Sequence, residues 1–459
     1  MLAARRPPPS SSTQRREPQS SPREGATMLA VFGFATLAAF MVAVIRKWAS
    51  AFVAIIAAPV LFAVIAGFGL QLPDMVMSGL ETVAPTAVLL LFAILYFGVM
   101  MDNKLFDPVS NLIVRVSGGD PVKICVGTAL LAMIVALDGD GTTSYMIICS
   151  AFLPIYRRLG INPLVIGTVA IISLGLISGT TPWGGAATRA ISVLHLDPTT
   201  YLVDLVPSLV LTSATVLLIA FVLGLGQRRH VDPDAVAALR AEIAEQRDQP
   251  RTKVGWRMYA NAVLTVMLMV LLVMGVAPLQ VLFIGGFVIA LFVNHPRLED
   301  QAELIKRHAT SAVPVVMLVL AAGVFTGILS ETGMITAMAD AVLSIVPHQL
   351  GGLMPLFTAL ISIPLGFFMS NDAFMFGVVP VLAESASSYG VDPMTTAHAA
   401  VVSQILHMAG PTSAPLWVLL GLLKAELGDL QRHVIPWAVL ASLAFILMQV
   451  VTGTIPISL

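Results

Sequence analysis

Apolar residues run in stretches at 28–45, 50–70, 84–101, 203–226, 257–275, 277–294, 311–329 and 434–457. Each is close to the about 20 residues that a helix needs to cross a ~30 Å hydrocarbon core. Residues 121–198 and 351–428 are also apolar, but short polar segments interrupt them. The first interruptions are Asp138 to Ser144 (DGDGTTS) and Met369 to Asp372 (MSND). Counting 22 residues on from Gly141 and from Asn371 reaches matching punctuation, Gly160-Ile161-Asn162-Pro163 and Gly390-Val391-Asp392-Pro393. A second break then follows in each region, Gly179 to Gly185 (GTTPWGG) and Gly410 to Pro415 (GPTSAP). The chain thus reads as two copies of one membrane unit offset by 230 residues. Paired breaks of this kind point to a transporter binding site. Non-helical backbone at membrane depth is tolerated only where it is buried in protein or lines a wet cavity, so each region is predicted to form a re-entrant hairpin followed by a broken helix.

The basic residues orient the two copies. Arg46 and Lys47 follow the first run, whereas the matching connection at Val276 and Ala277 has no base. The next connection reverses this: Gln71 to Asp74 is free of bases, and its counterpart leads into Arg297, Lys306 and Arg307. The first hairpin exits through Arg157 and Arg158, the second through Ser387 and Ser388. Bases concentrate on the cytoplasmic side of membrane proteins, so the copies are predicted to be inverted, with both chain ends outside. The expected fold is an all-α polytopic membrane protein built as an inverted repeat, each copy contributing about five transmembrane spans plus one re-entrant hairpin and one broken helix. Residues 28–226 and 257–459 form the copies, and 227–256 is a polar cytoplasmic linker. Residues 1–27, rich in Arg, Pro and Ser, read as a disordered arm or an over-long start.

Composition agrees with this class. Of 459 residues, 57% are hydrophobic and only 11% charged, with a mean hydropathy of +0.90, against about 25% charged in soluble domains. A net charge of -1 gives no basic face for nucleic acid. Cys125 and Cys149 lie in apolar stretches and read as small hydrophobes. No Walker loop, nucleophile elbow or Cys/His metal spacing occurs, so transport would run on an ion gradient or on the substrate's own gradient.

An ionised carboxylate at the bilayer centre is costly and tends to be paired, protonated or functional. Asp138 and Asp140 lie in a Gly-rich turn where they converge with the hydroxyls of Thr142, Thr143 and Ser144. Such a cluster can hold a hard divalent cation, carry protons, or cap the hairpin tip. In the second hairpin, Ser370 and Asn371 offer donors for a substrate carboxylate, and Asp372 supplies a carboxylate that is a candidate for metal or proton coupling as well as for substrate contact, with an N-cap as its bland reading. The broken helices supply Thr180, Thr181, Pro182, Trp183, Gly184 and Gly185 in one copy and Gly410, Pro411, Thr412 and Ser413 in the other. Their freed N–H groups and hydroxyls make anion cradles. His407, one turn after Gln404, and Glu384 are further candidates for metal or proton coupling. Arg189 could face an anionic substrate, but snorkelling to an interface is the preferred reading of its long side chain.

Six segments resemble the citrate-metal:proton symporters, the CitMHS family: Met28 to Phe34, Leu91 to Gly98, Leu137 to Thr142, Pro182 to Gly185, Ala322 to Leu329 and Phe368 to Ala373. The resemblance runs from Met28 nearly to the C-terminus, and departs from expectation in the more polar Ala409 to Ser413. It implies a bacterial cytoplasmic-membrane carrier, not an enzyme, that imports citrate complexed with a divalent metal of the Mg2+ or Ca2+ type together with protons. It also implies a homodimer whose scaffold holds an elevator-like transport domain. By position, Asp138 to Ser144, Thr180 to Gly185, Ser370 to Asp372 and Gly410 to Ser413 would surround the cargo. The metal would belong to the transported complex, and no separate cofactor is expected. Alternatives are a carrier of another di- or tricarboxylate or an oxyanion. An intramembrane metalloenzyme built on Asp138 and Asp140 is the remaining one, against which the inverted repeat argues.

Overall fold

In a computed structural model describing residues 22–46, 48–229, 231, 234–238, 255–343 and 348–456, helix is the main regular structure and no strand occurs among the described residues. The first copy contains α1 (Pro22–Ile45), α2 (Ala51–Ile65), α3 (Leu72–Asp102), α4 (Asp107–Ser117), α5 (Pro121–Val135), α6 (Gly141–Arg158), α7 (Pro163–Ile177), α8 (Gly185–Val193) and α9 (Pro198–Gln227). The second repeats the order with α10 (Trp256–Val273), α11 (Leu279–Asn294), α12 (Leu298–Glu331), α13 (Met334–Leu343), α14 (Met354–Phe368) and α15 (Val379–Ser387). It closes with α16 (Pro393–Ala400), α17 (Ser403–His407), α18 (Ala414–Leu423) and α19 (Leu427–Val451). One local rule starts four of these helices. Asp120, Asn162, Asp197 and Asp392 each accept a backbone N–H two or three residues on, and each is followed by proline at the first helical position, where its missing N–H costs nothing.

Helix α9 serves as a ruler for the hairpins. At its C-terminal end, Arg228 pairs with Asp120 at 2.9 Å and Gln227 accepts from the Asn162 N–H at 3.2 Å. The first hairpin therefore begins and ends at the same end of α9, which makes it re-entrant. Burial opposes the charge of Asp120, but the Arg228 guanidinium, the Val122 N–H and Lys123 outweigh it and hold its carboxyl below the usual range. In the second copy Gly351, just before α14, packs on Tyr389, just after α15. That end lies near the start of α9, since Asp392 is within electrostatic reach of Asp204. Thr454, after α19, also donates to the Asp204 carbonyl at 3.3 Å. The two hairpins enter from opposite ends, and the repeat is inverted.

The helices sort into two packed groups. A frame of α1–α3 and α10–α12 is centred on the antiparallel crossing of α3 and α12, where Gly79 lies backbone to backbone with Gly323 and Gly327. Small residues let membrane helices approach closely, and no side chain fits there. A core group contains the hairpins, the broken helices, α9 and α19. Helices α4 and α13 follow α3 and α12 at matching places, and sequence patterning did not predict them. Their 11 and 10 residues extend only about 15 Å at 1.5 Å per residue, too short to span. They join the frame to the hairpins, α4 packing on α5 and α13 on α1 and α15.

Helix α1 corrects one expectation. It begins at Pro22, so residues 22–27 are helical and not part of a disordered arm. Proline is well placed in a first turn. Residues 1–21, Lys47 and most of the predicted linker lie outside the described residues, although 234–238 is helical. The glycine crossing gives a test. Gly323→Val would drive a side chain into Val83 and the Gly79 carbonyl, 2.5 and 2.7 Å from an ideal Cβ. Overpacking of this kind costs about 1–3 kcal/mol. Thermal size-exclusion of the detergent-solubilised protein should show a clear drop in midpoint, and an unchanged midpoint would contradict this close packing.

Candidate substrate site

The tip of the first hairpin is a short 3-10 turn, Ala136–Asp138, turned by Gly139 at φ 80. Asp138 is buried, and its Oδ1 accepts from the Asp140 N–H at 2.8 Å and the Ser144 hydroxyl at 3.2 Å. Asp140 N-caps α6, taking the Thr142 and Thr143 N–H groups at 3.1 Å each and the Thr143 hydroxyl. The broken helix holds this tip from behind. Trp183 Nε1 donates to the Leu137 carbonyl at 2.7 Å and Ser178 to the Gly139 carbonyl at 3.0 Å.

The tip of the second hairpin is built from different groups. Ser370 caps the return limb through the Ala373 N–H at 3.2 Å, and a π-helical turn, Ala373–Val378, follows. Such turns often mark functional segments. Asn371 accepts from Gln404 at 2.8 Å, and Thr412 donates to the Met369 carbonyl at 3.1 Å. His407 Nδ1 must be the protonated ring nitrogen, because it lies 2.7 Å from the Gly366 carbonyl, which can only accept. Asp372 is not the cap that a sequence reading allows. It pairs with Arg189 Nε at 2.6 Å, which ties the second hairpin to α8. Arg189 also donates to the Gly185 carbonyl.

The two broken helices meet at their breaks. An ideal Cβ on Gly175 would lie 2.6 Å from the Ile405 Cα, and Gly179 packs on Gln404. Gly141 at the start of α6 rests on Met408 and Pro415. The four interrupted segments therefore converge on one region.

A cavity of about 440 Å³ opens between the core group and the frame. Its core wall carries Asp138, Asp140 and Thr143 from the hairpin tip, and Trp183, Gly185 and Arg189 from the broken helix. Its frame wall carries Phe97 and Asp102 of α3 with His308 and Ser311 of α12. Helix α8 starts at the cavity without a side-chain cap, so its unpaired N–H groups and dipole favour an anion. Arg189 adds a full positive charge one turn further on. Facing this are two carboxylates, and among the described residues Asp138 Oδ2 has no recorded partner. One space thus presents an anion-attracting corner and a cation-attracting corner. Among the described residues no cluster of three or more His, Cys, Asp or Glu side chains is placed to hold a metal ion alone.

The predicted residues divide accordingly. Asp138, Asp140, Thr143, Trp183 and Gly185 line the cavity, while Thr142 and Ser144 support the tip from within α6. Thr180, Thr181, Pro182 and Gly184 form the turn behind it, with Thr180 bonded to the Leu176 carbonyl, Thr188 to those of Pro182 and Gly184, and the Thr181 hydroxyl buried without a partner among the described residues. Ser370, Asn371, Gly410, Pro411, Thr412, Ser413 and His407 lie around the second tip and not on the cavity wall. Glu384 is not brought to the site: it accepts from Thr336 of α13 at 3.3 Å, on the far limb of the hairpin. Arg189 corrects the snorkelling expectation, because Asp372 gives its charge a partner inside the protein. Asp102, His308 and Ser311 were missed, since each sits near the end of an apolar run where a polar residue reads as an ordinary membrane boundary.

Fold and site together define a polytopic membrane protein with inverted hairpins around one cavity. The sequence profile of the CitMHS citrate transporter family matches residues 35–403, and the chain belongs to that family. Three relatives come from Bacillus subtilis (strain 168). The Uncharacterized transporter YraO is 44% identical over 440 residues, 94% of this chain and 100% of its own length. The Citrate transporter is 41% identical over 428 residues, 93% and 100% of the two chains. The Mg(2+)/citrate complex secondary transporter is 41% identical over 436 residues, 94% and 100%. Among solved structures, the YdaH transporter of Alcanivorax borkumensis aligns over 84% of this chain and 89% of its own, with a TM-score of 0.54 and 15% identity. That likeness is one of fold.

The Arg189–Asp372 pair is testable by a double-mutant cycle. Removing one partner of a mostly buried pair strands the other, so Asp372→Asn and Arg189→Gln should each lower the thermal midpoint. The double variant should recover part of the loss, giving a coupling of about 1.5–3 kcal/mol. Additive losses would show that the pair carries no coupling.

Proposed function

We propose that this protein is a secondary active carrier importing citrate bound to a divalent cation, Mg2+ or Ca2+, together with protons, across the bacterial cytoplasmic membrane. The cavity carries the proposal: two aspartates face Arg189 and the open α8 N-terminus across one space. A bare tricarboxylate would leave the aspartates opposed by like charge. A bare cation would leave the arginine corner empty. A metal–citrate complex meets both, and its carboxylates supply the coordination that two aspartates cannot. Mg2+ in particular is usually held by one or two protein carboxylates plus substrate oxygens and waters. Two relatives whose names specify citrate or its Mg2+ complex, 41% identical over nearly the whole chain, support the same cargo.

Proton coupling follows from the Arg189–Asp372 pair. While Asp372 is ionised it holds Arg189. A proton on Asp372 weakens that hold and frees the guanidinium for a substrate carboxylate, so proton and anion binding favour each other, as linkage requires. His407 lies within electrostatic reach of the pair. Asp138 and Asp140 then meet the cation.

The frame and core group suit an elevator. The cavity is level with the Asp102 end of α3, the end leading into the first hairpin, and bases Arg157, Arg158, Arg228 and Arg307 cluster near hairpin ends and helix starts on that side. By the positive-inside rule this is the cytoplasmic face, and the arrangement faces inward. Frame helix α10 exposes Tyr259, Val263, Val266 and Val270 on one stripe, a face suited to a second copy in a homodimer.

Labelled citrate uptake into proteoliposomes tests this reading. With Mg2+ or Ca2+ present and the outside made acid, citrate should accumulate. It should fall to background when the metal is chelated. Uptake indifferent to metal would favour another di- or tricarboxylate or an oxyanion as cargo, and uptake driven by Na+ alone would remove the proton step.

A further inference from the structure

The frame wall of the cavity holds a charged clasp that the reading above does not use. Asp102, at the end of α3, accepts from His308 Nε2 at 3.1 Å and from Arg307 at 3.2 Å, both on α12. Both bonds end on Oδ2, and among the described residues Oδ1 has no recorded partner. Asp102 and His308 line the cavity with Asp138 and Asp140, whereas Arg307 does not. The imidazole is seated by the backbone: an ideal Cβ on Gly98 would lie 2.7 Å from the ring, so only glycine lets it lie against α3.

A clasp serving only to bind α3 to α12 has no need of the cavity. The glycine crossing already fixes those helices, and charged pairs near a surface contribute little, about 0–1 kcal/mol. The repeat gives a comparison. His308 corresponds to Ser78 at the offset of 230, and Ser78 donates to Glu331 at 3.2 Å at the opposite end of the same two helices. The carboxylate recurs at both ends, but an imidazole stands only where the hairpin tip comes level with the clasp.

We propose that Asp102 and His308 form a fixed half of the substrate site, contacting a metal–polycarboxylate complex from the frame when the core group faces the cytoplasm. Asp102 Oδ1 meets the cation, and His308, whose Nε2–H is given to Asp102 Oδ2, holds that carboxylate in place for it. The site is then shared: the core group carries Asp138, Asp140 and Arg189 with it, while the clasp stays behind and acts on one side of the membrane only. This rests on the carrier reading and adds an inner-face specificity to it.

Two readouts separate the ideas. In proteoliposomes of defined orientation, Asp102→Asn and His308→Gln should each raise the half-saturating Mg2+–citrate concentration on the cytoplasmic side about tenfold, with the outer value changed less than twofold. Lys306→Gln, an exposed base off the cavity wall, should leave both values within twofold. Independently, Ser311→Cys should react with an impermeant maleimide from the cytoplasmic side, because the native Cys125 and Cys149 are buried. Mg2+–citrate should slow that labelling at least fivefold, and Asp102→Asn in the same background should abolish the protection. Transport with unprotected Ser311→Cys, or with unchanged inner affinity in both variants, overturns the frame subsite and leaves the carrier reading intact. Protection lost in Asp102→Asn without any uptake by the unaltered protein supports the subsite and removes the carrier reading.

Discussion

Everything in this architecture depends on satisfying backbone groups that the helix breaks set free. At membrane depth no water is available to them, and an unpaired N–H or C=O there costs several kcal/mol. Each break has therefore been given donors from another segment. The first tip receives Trp183 and Ser178 on the Leu137 and Gly139 carbonyls. The second receives His407 and Thr412 on the Gly366 and Met369 carbonyls, and Gln431 serves the Ala409 carbonyl at 3.0 Å. Because each tip relies on the broken helix beside it, the four segments have to converge. The glycines at the crossing let them do so at backbone distance.

The two copies meet this demand differently, and the difference decides which one presents chemistry. In the second copy nearly every polar side chain is used internally: Ser370 caps, Asn371 takes Gln404, Thr412 takes a carbonyl and Asp372 takes Arg189. In the first, Trp183 and Ser178 hold the tip carbonyls, and Asp138 and Asp140 line the cavity beside the α8 N-terminus even though Asp140 also caps α6. The first copy lines both corners of the cavity, and the second copy reaches it by pairing Asp372 with Arg189.

Much of this was legible in the sequence because the signals are local. Gly, Pro and Asx punctuation marked both hairpins and both broken helices, and its 230-residue periodicity together with the bases gave the inversion. What sequence could not show depends on distance along the chain. Arg189 read as a snorkelling base because its partner is 183 residues away, and Asp102 and His308 read as membrane-boundary residues because they meet only through the antiparallel packing of α3 and α12. Glu384 read as a candidate for metal or proton coupling, yet its partner is α13, a helix too short and too weakly patterned to be recognised. The helical start at Pro22 was hidden by an Arg- and Pro-rich composition that a first turn can accept.

The contact between frame and core group has two unlike parts, and their physical character bears on how a carrier could move. Trp183 of the core group stacks on Phe97 of α3 with centroids 6.3 Å apart, and meets Phe283 of α11 edge-on at 5.0 Å. Aromatic contacts of this kind keep preferred stacked or edge-on geometries but need no hydrogen-bond partner across the ring faces, so one ring could exchange one aromatic neighbour for another without stranding a polar group. Trp183 also grips the first hairpin tip through Leu137, so any slide along that wall carries the binding residues with it. The second part is the charged clasp of Asp102 and His308, which is directional and fixed to the frame. In the proposed carrier, an apolar wall would let the core group slide, and a polar clasp at one end of it would give the cargo a defined partner there.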